Sequence, residues 1–446
     1  MAPNRIIIDT DPGVDDVLAM LLAFSVGVGE LEVLMLSLTH GNVDVQSCLR
    51  NVVTLFEKIE KERTYRRENG KPEGFETLMR RKPIVAVGAE EPLAEHMMVA
   101  DFFHGIDGLG GIHHSHPHLS PTETWKSLFK PTPPKMSAEE AASLQKVKEQ
   151  HSLFEPSLNF APDEMLRILE EEDEGTVTIV AIGPLTNLAI AAAKDPETFL
   201  RCKEVVVMGG AVEVPGNMTP GAEFNTYADS IASARVFALT SPHPNTTMPP
   251  TPLHSNKDYL PEYPKKLSKQ LTLKLFPLDI TTPHLLPQTL STTYISSLPD
   301  SPLATWTSLF LQSTYQKVFS LKPDQDPGKV GLELHDPLTI WYCLASSNSS
   351  NSDNGDVTSS SVDNGWKFVE EDIRVETAGQ WTRGTCIVDR RGKAMKEGVG
   401  DVSQEVVGDA GGWLDTRRGN RIQRCVGTPG EETFAGVLLE RIFGGG

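Results

Sequence analysis

Cysteine is scarce in this chain: 446 residues carry five, at Cys48, Cys202, Cys343, Cys386 and Cys425. Their wide spacing, odd number and lack of any Cys-x-x-Cys pair indicate neither a disulfide framework nor a zinc site. A reducing compartment is the expected setting. Positive charge is also in deficit, with a formal net charge of −19 at pH 7. Phosphate backbones and anionic membranes are held by Lys and Arg patches, so nucleic acid and membrane surfaces are not expected partners. Small neutral ligands are compatible with this charge. Long apolar runs are missing too. The uncharged stretch 177–193 contains Gly183-Pro184 and Asn187 and falls short of the ~20 apolar residues of a membrane span. It reads as strand, turn and helix. The run 17–29 follows two aspartates and has no cleavage-like site, so no secretory signal is expected and the reading is of a soluble, cytoplasmic protein.

Acid, by contrast, is concentrated at the head of the chain. Asp9, Asp11, Asp15 and Asp16 fall within eight residues, in the run Ile6-Ile7-Ile8-Asp9-Thr10-Asp11-Pro12-Gly13-Val14-Asp15-Asp16, directly after an apolar stretch typical of a buried strand. Carboxylates this close repel and push one another toward protonation unless a cation with several oxygen ligands offsets them. Strand alternation places Asp9 and Asp11 on one side, Pro12-Gly13 turns the chain, and Asp15 and Asp16 open the next helix, where its dipole tolerates them. Helix capping accounts for one or two of these acids; a divalent metal accounts for all of them.

Short β-branched runs alternate with helical patterns. Strands are expected at 5–9, 31–38, 83–87, 177–182 and 205–208, and helices at 17–25, 45–61 and 188–194. The alternation predicts an α/β fold with a mainly parallel sheet and helices on both faces. Ligands of such sheets sit at the carboxyl ends of the strands, where the acidic run, Thr39-His40-Gly41-Asn42, Ile182-Gly183 and Met208-Gly209-Gly210 all fall. Four polar or Pro-rich segments, 65–81, 117–150, 241–269 and 345–365, carry too few apolar residues for cores of their own and read as insertions in a single enlarged domain spanning 1–446.

Two further constellations stand apart. Leu334-His335-Asp336-Pro337 puts a carboxylate and an imidazole just before an apolar, helix-like run. By itself such a pair is more often an N-cap beside a surface histidine; the N-terminal acidic cluster shifts the balance. Gly216-Asn217 with Glu223-Phe224-Asn225 and Asp229 supplies the amides and acids that recognition of a polyhydroxylated ligand requires, or a polar loop satisfying its own turns.

Taken in order, Asp9-Thr10-Asp11-Pro12-Gly13-Val14-Asp15-Asp16, Gly41-Asn42, Gly183-Pro184-Leu185-Thr186-Asn187, Met208-Gly209-Gly210, Glu223-Phe224-Asn225 and His335-Asp336 resemble the inosine/uridine-preferring nucleoside hydrolase family. The resemblance runs from about Arg5 to Asp389 and includes Ala100-Asp101-Phe102-Phe103-His104-Gly105 with Asp107-Gly108-Leu109, similar to the family's loop beside the base pocket. It implies Asp11 as general base, and Asp11, Asp16, Asp336 and the Ile182 carbonyl as ligands of Ca²⁺. It further implies that Asp15, Asn42, Asn225 and Asp336 hold the ribose 2′- and 3′-hydroxyls, Asn217 and Glu223 the 5′-hydroxyl, and that Met208 lines the sugar pocket. His335 and His104 become candidates beside the leaving base. The implied substrate is a small ribonucleoside split into base and ribose for nucleoside salvage, and the implied assembly is a homodimer or homotetramer.

Two other readings share these residues. Asp9-Thr10-Asp11 at a strand end is also the pattern of Mg²⁺-dependent phosphatases, but those sites carry a downstream Lys and leave Asp15-Asp16 unexplained. A non-catalytic nucleoside- or ribose-binding protein on the same fold is the second.

Overall fold

The computed structural model describes residues 3–94, 96–131, 136–249, 260–321, 323, 326, 330–347, 365–398, 400–402 and 407–444. Seven strands come first: β1 Asn4–Thr10, β2 Leu31–Leu38, β3 Ile84–Val87, β4 Glu155–Pro156, β5 Val177–Ala181, β6 Glu204–Met208 and β7 Leu273–Phe276. β8 Leu285–Pro287 and β9 Gly331–Glu333 form a small antiparallel ladder off the main sheet. β10 Lys367–Glu371 precedes a second small ladder, β11 Arg374–Val375 with β12 Cys386–Ile387, and β13 Ile422–Gly427 follows. The main sheet has the order β10-β13-β7-β6-β5-β1-β2-β3-β4. Each neighbouring pair in it is parallel except β10 with β13.

Winding reverses beside β1: the chain moves outward through β2, β3 and β4, then returns to β5 on the other flank of β1. The crevice of a doubly wound sheet opens at such a reversal. Asp9 pairs with Ala181 in the β1–β5 register, which brings the acidic run level with Ile182-Gly183.

Alternation along β1 explains the layers. Ile6 and Ile8 join one apolar cluster with the helix Val14–Ser25, whereas Ile7 joins the other with Met165, Leu188 and Ile179. Every one of these side chains is fully buried. The five cysteines are buried, and none is in a disulfide. No helix among the described residues is long and apolar enough to cross a membrane.

The polar segments hold more structure than their composition indicates. Across 65–81 the helix Val45–Glu68 ends and Glu76–Arg80 begins, with Phe75 and Leu78 in the core and Arg66 paired to Glu62 at 2.8 Å, both buried. Trp125, Leu128 and Val147 anchor 117–150 in the same way. Of 241–269, residues 250–259 lie outside the described set, as do 348–364 of the segment 345–365. Beyond residue 365, β10, β13 and the helix Glu431–Phe443 extend the alternation past the strands expected from sequence. Edge strands such as β10 are half exposed and carry few apolar residues, so their periodicity is weak.

Candidate active site

The end of β1 is wired to its neighbours before any ligand is considered. Asp9 accepts hydrogen bonds from the Ser37 hydroxyl on β2 and from Asn187 Nδ2 at 2.8 Å. Asn187 also reaches the Leu38 carbonyl at 3.1 Å, while its own Oδ1 accepts from the Ala89 amide at 2.8 Å. One buried side chain therefore joins the ends of β1 and β2, the loop after β3 and the helix Thr186–Lys194. Burial pushes the Asp9 carboxyl up to about 7, against the pull of the Ser37 and Asn187 hydrogen bonds. Both hydrogen bonds fall on Asp9 Oδ1, and its Oδ2 is buried without a partner.

Asp11 stands just beyond the strand. Its Oδ2 accepts from the Asn42 amide at 2.6 Å, and its Oδ1 is buried without a partner. Two glycines make room for it: a Cβ at Gly41 would meet Asp11 Oδ2 at 2.0 Å, and one at Gly183 would meet Oδ1 at 2.6 Å. Asp16 opens the helix Val14–Ser25 and accepts from Thr10 Oγ1 at 2.6 Å, the Gly13 amide at 2.9 Å and Asn42 Nδ2 at 2.9 Å. The helix His335–Ser347 packs on Val14–Ser25 and brings Asp336 to the same point. Oxygen atoms of Asp15, Asp16 and Asp336 lie within 4.8 Å of one another, and all three residues are buried.

These carboxyls are strongly perturbed. Burial and then the charges of Asp16 and Asp15 push Asp11 well up; burial and then Asp15, Asp16 and Asp11 do the same to Asp336. Burial, then Asp16, raises Asp15 to about 6. Among the described residues no Lys or Arg pairs with any of the four. A partnerless buried carboxylate oxygen beside a tight triad of like charges is the donor set of a hard divalent cation. The closest triad is Asp15, Asp16 and Asp336, with Asp11 at its flank, whereas the sequence resemblance implied Asp11 in place of Asp15.

The titrations predict a pH signature of metal binding. Folded-state values raised above the ordinary ~3.9 mean that the folded chain holds protons which the unfolded chain releases, so metal-free stability falls as pH rises from about 4 through about 6. A bound cation replaces those protons. Calcium is expected to raise the melting temperature more at about pH 7.5 than at about pH 5. Equal increments at both would remove these carboxylates from the ion's coordination.

The sugar-side candidates divide. Asn42 is fixed by its bond to Asp16, and Asn225 is buried with its Nδ2 between the Ile182 and Met208 carbonyls, at 3.2 and 3.3 Å. Ile182, Met208, Asn225 and Asn42 thus gather at the carboxyl ends of β5, β6 and β1. Glu223 is placed otherwise: its carboxylate caps the helix Phe224–Ala228, accepting from the Asn225 amide at 2.8 Å, the Thr226 amide at 3.0 Å and the Gly210 amide at 2.8 Å. Asn217 is exposed and accepts from the Phe224 amide at 2.9 Å. Both shape the loop 209–229 through its backbone.

The two histidines differ in state. His104 Nδ1 accepts from the Val14 amide at 3.3 Å, so its proton resides on Nε2. Burial, then the charge of His335, lowers it to about 4, and it is neutral at physiological pH. For His335 burial opposes charging, but the Glu333 hydrogen bond at 3.1 Å, with Asp15 and Glu223 nearby, raises it above the ordinary imidazole value. Thr281 Oγ1 meets its Nδ1 at 2.7 Å. Thr281 and Glu333 had no role in the sequence reading: the helix Leu278–Thr281 brings Thr281 to His335 from 54 residues away, and Glu333, two residues before His335, is turned toward it at the end of β9.

Known proteins resemble this chain in sequence and in fold. The sequence model described as inosine-uridine preferring nucleoside hydrolase matches residues 6–410, past the limit near Asp389 expected from motifs. Uridine nucleosidase 1 of Arabidopsis thaliana is 36% identical over 235 residues, 52% of this chain, and the chain spans only 53% of that relative's length. The pyrimidine-specific ribonucleoside hydrolase RihA of Klebsiella pneumoniae is 28% identical over 86% of this chain and 87% of its own. The solved plant nucleoside hydrolase PpNRh1 superposes with a TM-score of 0.63 over 99% of both chains at 22% identity, a likeness of fold. With the family's sequence model running through the acidic head, the loop of His104 and the His335-Asp336 pair, the chain belongs to the inosine/uridine-preferring nucleoside hydrolase family.

Proposed function

We propose that this chain is a calcium-dependent ribonucleoside hydrolase that cleaves the N-glycosidic bond to give free base and ribose. The observation that carries this reading is the buried, partnerless Oδ1 of Asp11 beside the Asp15, Asp16 and Asp336 carboxylates at the crevice between β1 and β5. Asp11, Asp16, Asp336 and the Ile182 carbonyl would hold the ion, with Asp15, the third carboxylate of the close triad, beside it. Calcium bound there would acidify a water and offer further coordination positions to hydroxyl oxygens.

Asp11 accepts the proton of the attacking water, whose oxygen bonds to the anomeric carbon while the glycosidic electron pair leaves with the base. Asp15, Asn42, Asn225 and Asp336 bind the 2′- and 3′-hydroxyls and orient the ring, and Met208 covers its face. The acids beneath the sugar stabilise the oxocarbenium-like transition state electrostatically. His335, whose hold on a proton Glu333 strengthens, delivers a proton to the departing base. His104, neutral with Nε2–H, donates a hydrogen bond to it. A phosphatase reading requires a Lys in the site, and among the described residues none pairs with the cluster.

The names of the plant and bacterial relatives make uridine the first substrate to test, and a cytoplasmic salvage role with homodimeric or homotetrameric assembly belongs to the same proposal. The assay is chromatographic: purified protein with Ca²⁺ and a panel of purine and pyrimidine ribonucleosides, scored for free base and ribose. Release that chelator abolishes and calcium restores is expected. Calcium-dependent ribose binding without release would point to a binding protein, and absence of both would overturn the reading.

A further inference from the structure

The loop 209–229 carries Asn225, Glu223 and Asn217, yet its outer stretch 213–219 is largely exposed and has little apolar anchorage. What holds it comes from far along the chain. Arg383 lays its guanidinium over the Tyr227 ring, 3.8 Å from the ring centroid, and its Nη1 donates to the Tyr227 carbonyl at 2.9 Å. Two residues on, Thr385 makes an isolated antiparallel bridge with Ala222. Backbone contact is close: a Cβ at Gly384, whose φ is +79°, would lie 2.7 Å from Tyr227 Cα, and one at Gly210 would lie 2.8 Å from Cys386 Sγ.

The brace is itself rigid. The turn leading to it is closed by the Arg383 amide to the Gly379 carbonyl at 3.0 Å and the Gly384 amide to the Glu376 carbonyl at 2.7 Å. Val375 and Cys386 pair across β11 and β12 and are buried in the core beneath. A planar cation stacked on a ring and hydrogen-bonded to the same residue's carbonyl restrains that residue in both position and orientation.

We propose that Arg383 is a positioning residue for the 5′ side of the ribose site, acting through Tyr227 on the short helix that presents Asn225 and Glu223. The proposal rests on the reading of this crevice as the ribose site. Its test has one arm that does not need activity: hydrogen–deuterium exchange of wild type, Arg383→Ala and Arg383→Lys.

In Arg383→Ala, amides of 216–228 are expected to exchange about tenfold faster, the effect of losing one charge-assisted hydrogen bond, while β1 and β5 keep wild-type protection. Arg383→Lys retains a donor but loses the planar stack, and is expected to fall between the two. Unchanged exchange at 216–228, or equal acceleration in β1 and β5, would overturn the assignment. The kinetic arm compares uridine with 5′-deoxyuridine: Arg383→Ala should raise KM about tenfold for uridine alone, with kcat within about threefold. An equal rise for both substrates would place the effect elsewhere in the site. If wild type hydrolyses no ribonucleoside, the function reading fails while the exchange arm still decides the brace.

Discussion

Asp11→Asn is expected to lower turnover by about 10²–10⁴, the range of a lost general base. The substitution is nearly isosteric, so it removes the base while leaving the shape of the pocket. Asp11 is confined by the bare faces of Gly41 and Gly183, its Oδ2 is spent on the Asn42 amide, and Oδ1 alone is directed into the site without a partner. An amide in that place cannot take a proton from water. Because Asn also removes one charge from the cation's surroundings, turnover must be read at saturating calcium, with KM for the ribonucleoside expected to move far less than kcat. Wild-type turnover under those conditions would sink the assignment. Removing one like charge from a buried cluster should at the same time stabilise the metal-free protein at neutral pH, since Asp11 and Asp16 each raise the other's cost of ionisation.

Asp336→Ala is expected to weaken calcium binding by at least about 10²-fold, since even the partners that only orient metal ligands contribute 10- to 100-fold. Asp336 closes the triad with Asp15 and Asp16, and the helix it opens packs directly on the helix that those two open. Two N-termini thus aim at one point, favouring the negative charge collected there. Without Asp336, no other described Asp, Glu, His or Cys completes such a group with Asp15 and Asp16. Titration calorimetry on the metal-free protein reads the change directly. Calcium affinity unchanged from wild type would take Asp336 out of the coordination shell and leave it, at most, on the ribose.

His104, lowered to about 4, and His335, raised above the ordinary imidazole value, illustrate how a residue type becomes a role only through its surroundings. Both histidines were legible as candidates from their motifs. Their protonation follows from partners the motifs do not reveal: the Val14 amide faces His104 across 90 residues of chain, Thr281 meets His335 across 54, and Glu333, two residues before His335, turns back onto its ring. No periodicity encodes such pairings.

Local rules were enough for much of the fold. The triple isoleucine before Asp9, the β-branched run of 177–182 and the alternation with amphipathic helices determined a parallel sheet by themselves, because strand and helix periods are properties of adjacent residues. The sheet order does contain β5-β1-β2 at its centre, and the helix after Pro12-Gly13 does begin with Asp15 and Asp16 in its first turn. The acidic run likewise announced a cation by charge density alone. What the sequence could not decide was allocation. Asp9 and Asp11 share a composition and each keeps one buried oxygen without a partner, yet Ser37 and Asn187 tie the first to β2 and the helix Thr186–Lys194, while the second accepts from the Asn42 amide beside Asp16. Glu223 and Asn217, matched by motif to a hydroxyl, also accept from backbone amides of their own loop, which motif alone does not reveal. Phe75 and Trp125 bind to the core segments whose composition is mostly polar, because one large apolar side chain placed over an existing core is sufficient to anchor a stretch that could not build a core of its own. Each of these outcomes depends on which donors and surfaces the winding of the sheet brings within reach, and that is set by contacts between residues tens to hundreds of positions apart.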